Sequence, residues 1–400
     1  MKPIPLILDN GLFVNVAARM AQDTEVAYFS TWAKAFPNSR EVAPGSGIKN
    51  VERVNDPVAF MLDGRASHVI ITDLYLNDYA RLATALELPC FATHDGSDLE
   101  TDRWKLKEYL ASKGLAVSES TEVEGLDELR KILEKEKDLY VKVSVFRGDL
   151  ETYHHVDWES TEPEFYRWKV RFGPFGEKVR FILEQPIPDA TEVGFDTFYR
   201  GGWVFPMFFG PEIKDGGYVG VQCHHIPDRY LPIMDALAEH FEKTGYNCFF
   251  SNEMRETKDE IYMTDATCRV PSPPGGALMA SMSNFTDFVL NGAKPDFAGK
   301  VICEIVMKSP TVRDTWMRVK VPKELKGRVG LHNYCEIDGQ IWIIPHESKY
   351  EEFGSACGWG DTIDEAREMA LEVAKHIAGE GIYYDENVLD KAEEELGKVL

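Results

Sequence analysis

The stretch Ile261 to Gly276, I-Y-M-T-D-A-T-C-R-V-P-S-P-P-G-G, constrains this chain more than any other. Side chains alternate along a strand, so Asp265, Thr267 and Arg269 are expected on one face and Tyr262, Ala266 and Cys268 on the other. Cys248 to Met254 is also strand-like, and a turn over Arg255 to Glu260 closes an antiparallel hairpin that sets Glu253 beside Asp265. Two adjacent carboxylates call for a cation. Taken alone, a surface hairpin with solvated charges explains the same residues more simply.

The rest of the chain limits what that cation serves. With 400 residues there is room for about two to four domains, and 44% hydrophobic with 28% charged residues is the balance of a soluble globular protein. Forty-four basic residues against 67 acidic ones give a net charge of −23, which argues against nucleic-acid and anionic-membrane partners. An anionic ligand therefore needs a locally basic pocket or a metal. No apolar run reaches the length of a membrane span, and Met1 to Asp9 lacks a signal-peptide core, so a cytoplasmic protein is expected. Its seven cysteines are scattered without a C-x-x-C pair, the pattern of reduced core thiols rather than of disulfides or a zinc site.

In chain order, Pro3 to Leu8 and Glu25 to Ser30 read as strands flanking a helix over Leu12 to Met20. His68 to Asp73 and Pro89 to Thr93 read as further strands separated by a helix ending near Leu86. Alternating strands and helices imply a doubly wound parallel sheet over residues 1 to about 96. Neither G-x-G-x-x-G nor G-x-x-x-x-G-K-[ST] occurs. Pro44-Gly45-Ser46-Gly47 has the composition of a phosphate cradle, but a plain flexible loop explains it more simply. Ser97-Asp98-Leu99-Glu100 matches a capping box, opening a helix to Gly114 that carries Arg103 and Lys107 on one face. A helix over Gly125 to Lys137 precedes a strand, Leu139 to Ser144, in which Lys142 interrupts apolar neighbours. A half-buried lysine must meet an anion or snorkel.

Residues 146 to 178 read as aromatic-rich loop. The adjacent pairs His154-His155 and His224-His225 point apart on extended chain and do not chelate. Phe181 to Leu183 leads through Glu184-Gln185-Pro186-Ile187 to a strand over Glu192 to Tyr199, and Trp203 to Phe209 continues the sheet. Leu231 to Thr244 is an amphipathic helix stopped by Gly245, which delivers the chain to the hairpin. After Gly276 come a helix to Leu290 and strands at Val301 to Met307, Trp316 to Val321, Gly330 to Ile337 and Gln340 to Pro345. Thr362-Ile363-Asp364-Glu365 is a second capping box, and Glu386 to Leu400 reads as a solvated helix.

This order of elements resembles the ATP-grasp superfamily over about residues 1 to 290. Gly354 to Tyr384, G-S-A-C-G-W-G-D-T-I-D-E-A-R-E-M-A followed by G-E-G-I-Y-Y, is similar to the C-terminal end of glycinamide ribonucleotide synthetases, the phosphoribosylamine–glycine ligases. The resemblance implies an α/β and α+β chain: a doubly wound pre-ATP-grasp domain (1–96), a small lobe with a phosphate-covering loop (97–180), a large lobe with a metal site (181–298) and a small α+β domain (299–400). It implies ATP and Mg2+ as cofactors. Lys107 and Lys142 match the phosphate-contacting lysines, and Gly148 lies in the covering loop. Glu184, Gln185 and Ile187 match the hinge at the adenine, and Glu192 matches the acid at the ribose. Glu253, Asp265 and Thr267 match the metal ligands, and Arg269 the arginine at the transferring phosphoryl group.

The family's E-x-N-x-R appears here as D-A-T-C-R. In Glu212-Ile213-Lys214, at the place of a D-H-K run, only Lys214 carries over, as a catalytic residue. Leu8 to Gly11 lacks the family's glycine-rich motif, so the amine is expected to differ from phosphoribosylamine. The implied activity is carboxylate–amine ligation through an acyl phosphate, on small-molecule substrates. An ATP-grasp kinase, a non-catalytic ATP binder and a homodimer are left open.

Overall fold

A computed structural model describes residues 2–31, 42–145, 152–214, 216–346 and 351–399. Strands β1 (Ile4–Asp9), β2 (Val26–Ser30), β3 (Val51–Arg53), β4 (Ala66–Ile71) and β5 (Cys90–Ala92) pair in parallel in the order β3-β2-β1-β4-β5. Leu6, Ile7 and Leu8 are all buried because both sheet faces are covered. Ile7 packs with the helix Val14–Met20, while Leu6 and Leu8 join the helices Pro57–Leu62 and Asn77–Ala85. This is the doubly wound arrangement the alternation predicts. The loop at Pro44 to Gly47 is a packing element, since the Gly45 amide donates to the Tyr334 carbonyl (2.9 Å) and the Glu336 amide to that of Ser46 (2.8 Å). A Cβ on Gly47 would stand 1.9 Å from the Glu336 oxygen, so this tight approach requires glycine.

Strands β6 (Ser120–Glu124), β7 (Leu139–Val143), β8 (Thr152–His155) and β9 (Arg180–Glu184) form a separate antiparallel sheet in the order β6-β9-β7-β8. Helices Leu126–Leu133 and Trp158–Phe172 cover it. The second of these replaces much of the expected loop. Asp157 caps it by accepting from the Ser160 amide at 2.9 Å, and Phe165 and Trp168 bury its inner face. Gly148 lies outside the described residues.

The third body is antiparallel and built from β10 (Thr191–Arg200), β11 (Met207–Gly210), β12 (Glu212–Ile213), β13 (Gly217–Cys223), β14 (Asn247–Glu256) and β15 (Ile261–Thr267), extended by β16 (Val301–Lys308). Then follow β17 (Met317–Val319), β18 (Val329–Leu331), β19 (Tyr334–Ile337), β20 (Gln340–Ile343) and β21 (Glu352–Gly360). The long sheet runs β18-β21-β16-β13-β11-β10-β14 and continues into β5, where Asn247 pairs with Ala92. Strand β15 adds to β14, and β17-β20-β19 form a small sheet of their own. Helix Leu231–Thr244 ends at Gly245 in the left-handed region, φ 72°, as its sequence predicts. Thr362 caps the helix Ile363–His376. The last helix, Val388–Leu396, departs from the solvated reading, because Val388, Leu389, Ala392 and Leu396 are buried and it packs on β13. The cysteines are free thiols. Among the described residues no helix is long and apolar enough to cross a membrane.

Candidate active site

The hairpin forms in the expected register, with Glu253 opposite Asp265 and Ser251 opposite Thr267. A bulge intervenes, because Met254 pairs with Met263 and leaves Thr264 as an extra residue. The bulge resets the alternation, which corrects one expectation: Tyr262 pairs with Arg255 and shares the face of Asp265 rather than the opposite one. Strand β10 extends that face, placing Glu192 opposite Arg255 and Asp196 opposite Ser251. Glu192, Glu253, Asp265 and Thr267 therefore stand on one side of three consecutive strands.

The four-stranded sheet and the helix Arg103–Ser112 supply the opposing charge. Lys107, on the helix Arg103–Ser112, and Lys142, in the middle of β7, both reach Glu184 at the end of β9, at 2.5 and 2.9 Å. All three are buried. Burial opposes ionisation of Glu184, but the two ammonium groups outweigh it and hold its carboxyl below the usual range. Lys107 is lowered by burial and by its neighbour Lys142, against the pull of Glu184. Two lysines share one carboxylate, which leaves one formal positive charge in surplus within this cluster. From Glu184 the chain crosses through Gln185 and Ile187 into β10 of the long sheet, so the hinge expected at these residues does join two sheets. Here the exposed Gln185 donates its amide to the Glu119 carbonyl at 2.9 Å.

Two arginine–carboxylate pairs join the helices Asp98–Thr101 and Arg103–Ser112 to the hairpin and the residues that follow it. Arg103 reaches Asp265 Oδ2 through Nη2 at 3.2 Å and Nε at 3.4 Å, while its own amide donates to the Ser144 carbonyl. Arg269 meets Glu100 at 2.9 Å, and the Cys268 amide donates to the same carboxylate at 2.5 Å. Glu100 is fully buried. The capping-box reading of Ser97 to Glu100 is thereby corrected: Ser97 makes no cap, the helix breaks at Asp102, and Asp102 caps the next one by accepting from the Lys105 amide at 3.1 Å. Glu100 instead holds the predicted Arg269. Lys142 also touches the hairpin, donating to the Thr264 carbonyl at 3.4 Å.

On the outer side Glu192 is ion-paired with Arg255. Burial raises its carboxyl, while Arg255, the exposed Lys214 and Lys142 pull it down, which places Lys214 and Lys142 within electrostatic reach of one acid. Glu212 is pushed far up by burial and by the charges of Glu253 and Glu192. Among the described residues no three His, Cys, Asp or Glu side chains gather closely enough to form a metal cage. Of the predicted residues, Lys142 and Glu184 from the four-stranded sheet cluster with Lys107 from the helix Arg103–Ser112, and Lys142 reaches the hairpin that carries Glu253, Asp265 and Thr267, forming a seam. Arg103, Glu100 and Arg255 border this seam, and sequence reasoning assigned none of them a site role. The available signal was the i, i+4 spacing of Arg103 with Lys107.

No protein-family model matches the sequence, and no curated protein does. Solved structures do. A phosphoribosylamine–glycine ligase from Thermotoga maritima superposes with a TM-score of 0.67 at 15% identity, over 96% of this chain and 100% of that one. The biotin carboxylase domain of a 2-oxoglutarate carboxylase from Hydrogenobacter thermophilus, solved with MgADP, ADP and bicarbonate, gives 0.66 at 10% identity over 99% of each chain. An L-amino acid ligase from Bacillus licheniformis gives 0.58 at 16% identity, over 96% of this chain and 100% of that one. The chain has the ATP-grasp fold. The ATP-grasp architecture spans nearly all of it, from the doubly wound sheet to the C-terminal strands, and the seam lies between its two central sheets.

Proposed function

We propose that the chain is an ATP-dependent carboxylate–amine ligase. The observation that carries this reading is the seam itself, where a surplus cation of the Lys107–Lys142–Glu184 cluster faces the paired carboxylates Glu253 and Asp265. A polyphosphate needs the first and its counter-ion needs the second. In this proposal Lys107 and Lys142 bind the phosphates, with Gly148 in the loop above them. Glu184, Gln185 and Ile187 border the adenine, and Glu192 meets the ribose once Arg255 yields. Arg269, oriented by Glu100, neutralises charge that grows on the transferring phosphoryl group as a substrate carboxylate attacks it. Lys214 adds a second cation there. The acyl phosphate formed loses phosphate when an amine attacks its carbonyl, giving an amide, ADP and phosphate.

The donor set fits magnesium in a restricted way. Glu253 offers a carboxylate and Thr267 a hydroxyl, both hard oxygens. Both Asp265 oxygens are already engaged, Oδ2 by Arg103 and Oδ1 by the Ala266 amide at 3.0 Å. We therefore propose one ion, arriving with the nucleotide and held mainly by Glu253 and phosphate oxygens, where it would screen phosphate charge. The free thiols favour a reducing compartment, which we take to be the cytoplasm. Substrates are a small carboxylic acid and an amine, and a homodimer is included because the Hydrogenobacter domain was solved as one.

The test is ADP release with panels of carboxylates and amines, repeated on Arg269→Lys, which keeps a cation for Glu100. Turnover lost with ATP binding retained supports the assignment. Background ADP release across the whole panel, with ATP bound normally, would overturn it.

A further inference from the structure

The two most exposed large apolar side chains among the described residues, Val170 at 84% and Phe175 at 72%, lie on or just beyond the helix Trp158–Phe172, and Tyr166 on the same helix is 50% exposed. Residues three and four apart share a helix face. Pro163, Tyr166 and Val170 therefore form one exposed stripe, while Thr161, Phe165 and Trp168 bury the opposite face against the four-stranded sheet. The short helix Gly173–Lys178 carries Phe175 on from the end of the stripe. The inner face is enough to hold the helix in the fold, so the outer stripe points to a contact outside this chain.

Charge says what that contact is. Acids border the first half of the stripe, Glu159, Glu162 and Glu164, and bases border the second, Arg167, Lys169 and Arg171. The helix dipole favours the same order, but it does not account for an apolar stripe between the charges. Two copies of the helix packed antiparallel about the Phe165–Tyr166 bond bring the two Tyr166 rings together at the axis. The same register sets Glu162 opposite the partner helix's lysine at 169 and Glu164 opposite its arginine at 167, each contact made twice by symmetry. Parallel packing would set like charge against like. Arg167 and Glu164 already bond within one chain at 3.0 Å, so association joins two such pairs into a network of four charges. An anionic membrane fits less well, because Glu159 and Glu162 border the same stripe and the chain carries a net charge of −23.

We propose that this helix is a self-association surface, through which two copies of the chain pair antiparallel about a two-fold axis. The assignment does not depend on the ligase reading. One helix pair is small beside the roughly 1,200–2,000 Å² buried by stable interfaces, so the dimer forms reversibly.

Sedimentation velocity of the full chain from about 2 to about 200 µM is expected to show monomer giving way to dimer. Val170→Glu, at a solvent-facing position, should leave monomer throughout with an unchanged unfolding midpoint. Glu162→Lys and Lys169→Glu should each weaken the dimer about tenfold. The double variant restores opposite signs across the axis and should recover it, which a helix with only an internal structural role would not do. Monomer at every concentration, a dimer indifferent to Val170→Glu, or no recovery in the double variant would each overturn the proposal. So would a monomer that co-sediments with phosphatidylglycerol vesicles, which would give the stripe to a lipid surface.

Discussion

Glu184 and Glu304 are both buried glutamates on strands, 5% and 1% exposed, yet their surroundings drive them in opposite directions. Glu184 sits between Lys107 and Lys142, which overcome the cost of burial and hold it ionised. Glu304 accepts the Ala277 amide at 2.7 Å and has the carboxylates of Glu352 and Asp196 near it, and burial pushes its carboxyl up to about 7. Asp196, also buried, is likewise pushed to about 7 by burial. Burial alone therefore does not set charge in this fold. Glu184 is held as an anion by two lysines in contact with it, while Glu304 and Asp196, whose neighbours are hydroxyls, amides and other carboxylates, are pushed toward neutrality.

Removing each carboxylate is the strongest way to break the comparison. Glu184→Gln leaves two ammonium groups buried without their anion and should cost about 3–5 kcal/mol in urea unfolding at pH 7.5. Glu304→Gln keeps an acceptor for the Ala277 amide and removes a charge that burial disfavours, so no loss or a small gain is expected. Equal losses would mean that the two sites do not differ as described.

Next in size is the pH dependence. Glu304 rises from 4.5 to about 7 on folding, so the folded state holds a proton the unfolded chain has released. Stability then falls as pH rises from about 4.5 to about 7, by on the order of 3 kcal/mol for this group. Glu184 has the opposite sign: its contribution is present above the unfolded carboxylate range and is lost as pH falls through its depressed folded value. Unfolding curves across pH should show Glu304→Gln flattening the neutral limb and Glu184→Gln flattening the acid limb.

The two glutamates also mark what the sequence made legible. A lysine inside an apolar strand had either to meet an anion or to snorkel, and Lys142 meets Glu184. The hairpin register and the Gly245 stop were readable because each rests on neighbouring residues. What failed depends on residues distant in sequence. Glu100 has the spacing of a capping residue, and only the fold brings Arg269 to it across 169 residues of sequence. The bulge at Thr264 comes from the register with β14, and nothing in I-Y-M-T-D-A-T announces it. Helix Trp158–Phe172 was hidden by Pro163 and by aromatics whose burial only the sheet beneath explains.

Lys142→Met sharpens the seam from the cation side. Glu184 keeps Lys107 at 2.5 Å, so the fold should lose less than in Glu184→Gln. The surplus positive charge disappears, and ATP affinity by calorimetry should fall about tenfold. Unchanged affinity would remove Lys142 from the phosphate site.

The smallest expected effect tests the side of the seam that departs most from the family pattern. Thr267 stands opposite Ser251, at the end of the row that contains Glu253 and Asp265. Its hydroxyl is a weaker magnesium donor than an amide carbonyl, and Asp265 is committed to Arg103. Thr267→Asn supplies that carbonyl without adding charge, so the magnesium concentration giving half-maximal ADP release should fall by about threefold, under 1 kcal/mol. Glu253→Gln should raise the same midpoint, because it weakens the carboxylate proposed to carry the ion. If Thr267→Asn moves the midpoint and Glu253→Gln does not, the ion sits at the Asp265 end and the Arg103 pair must open during turnover.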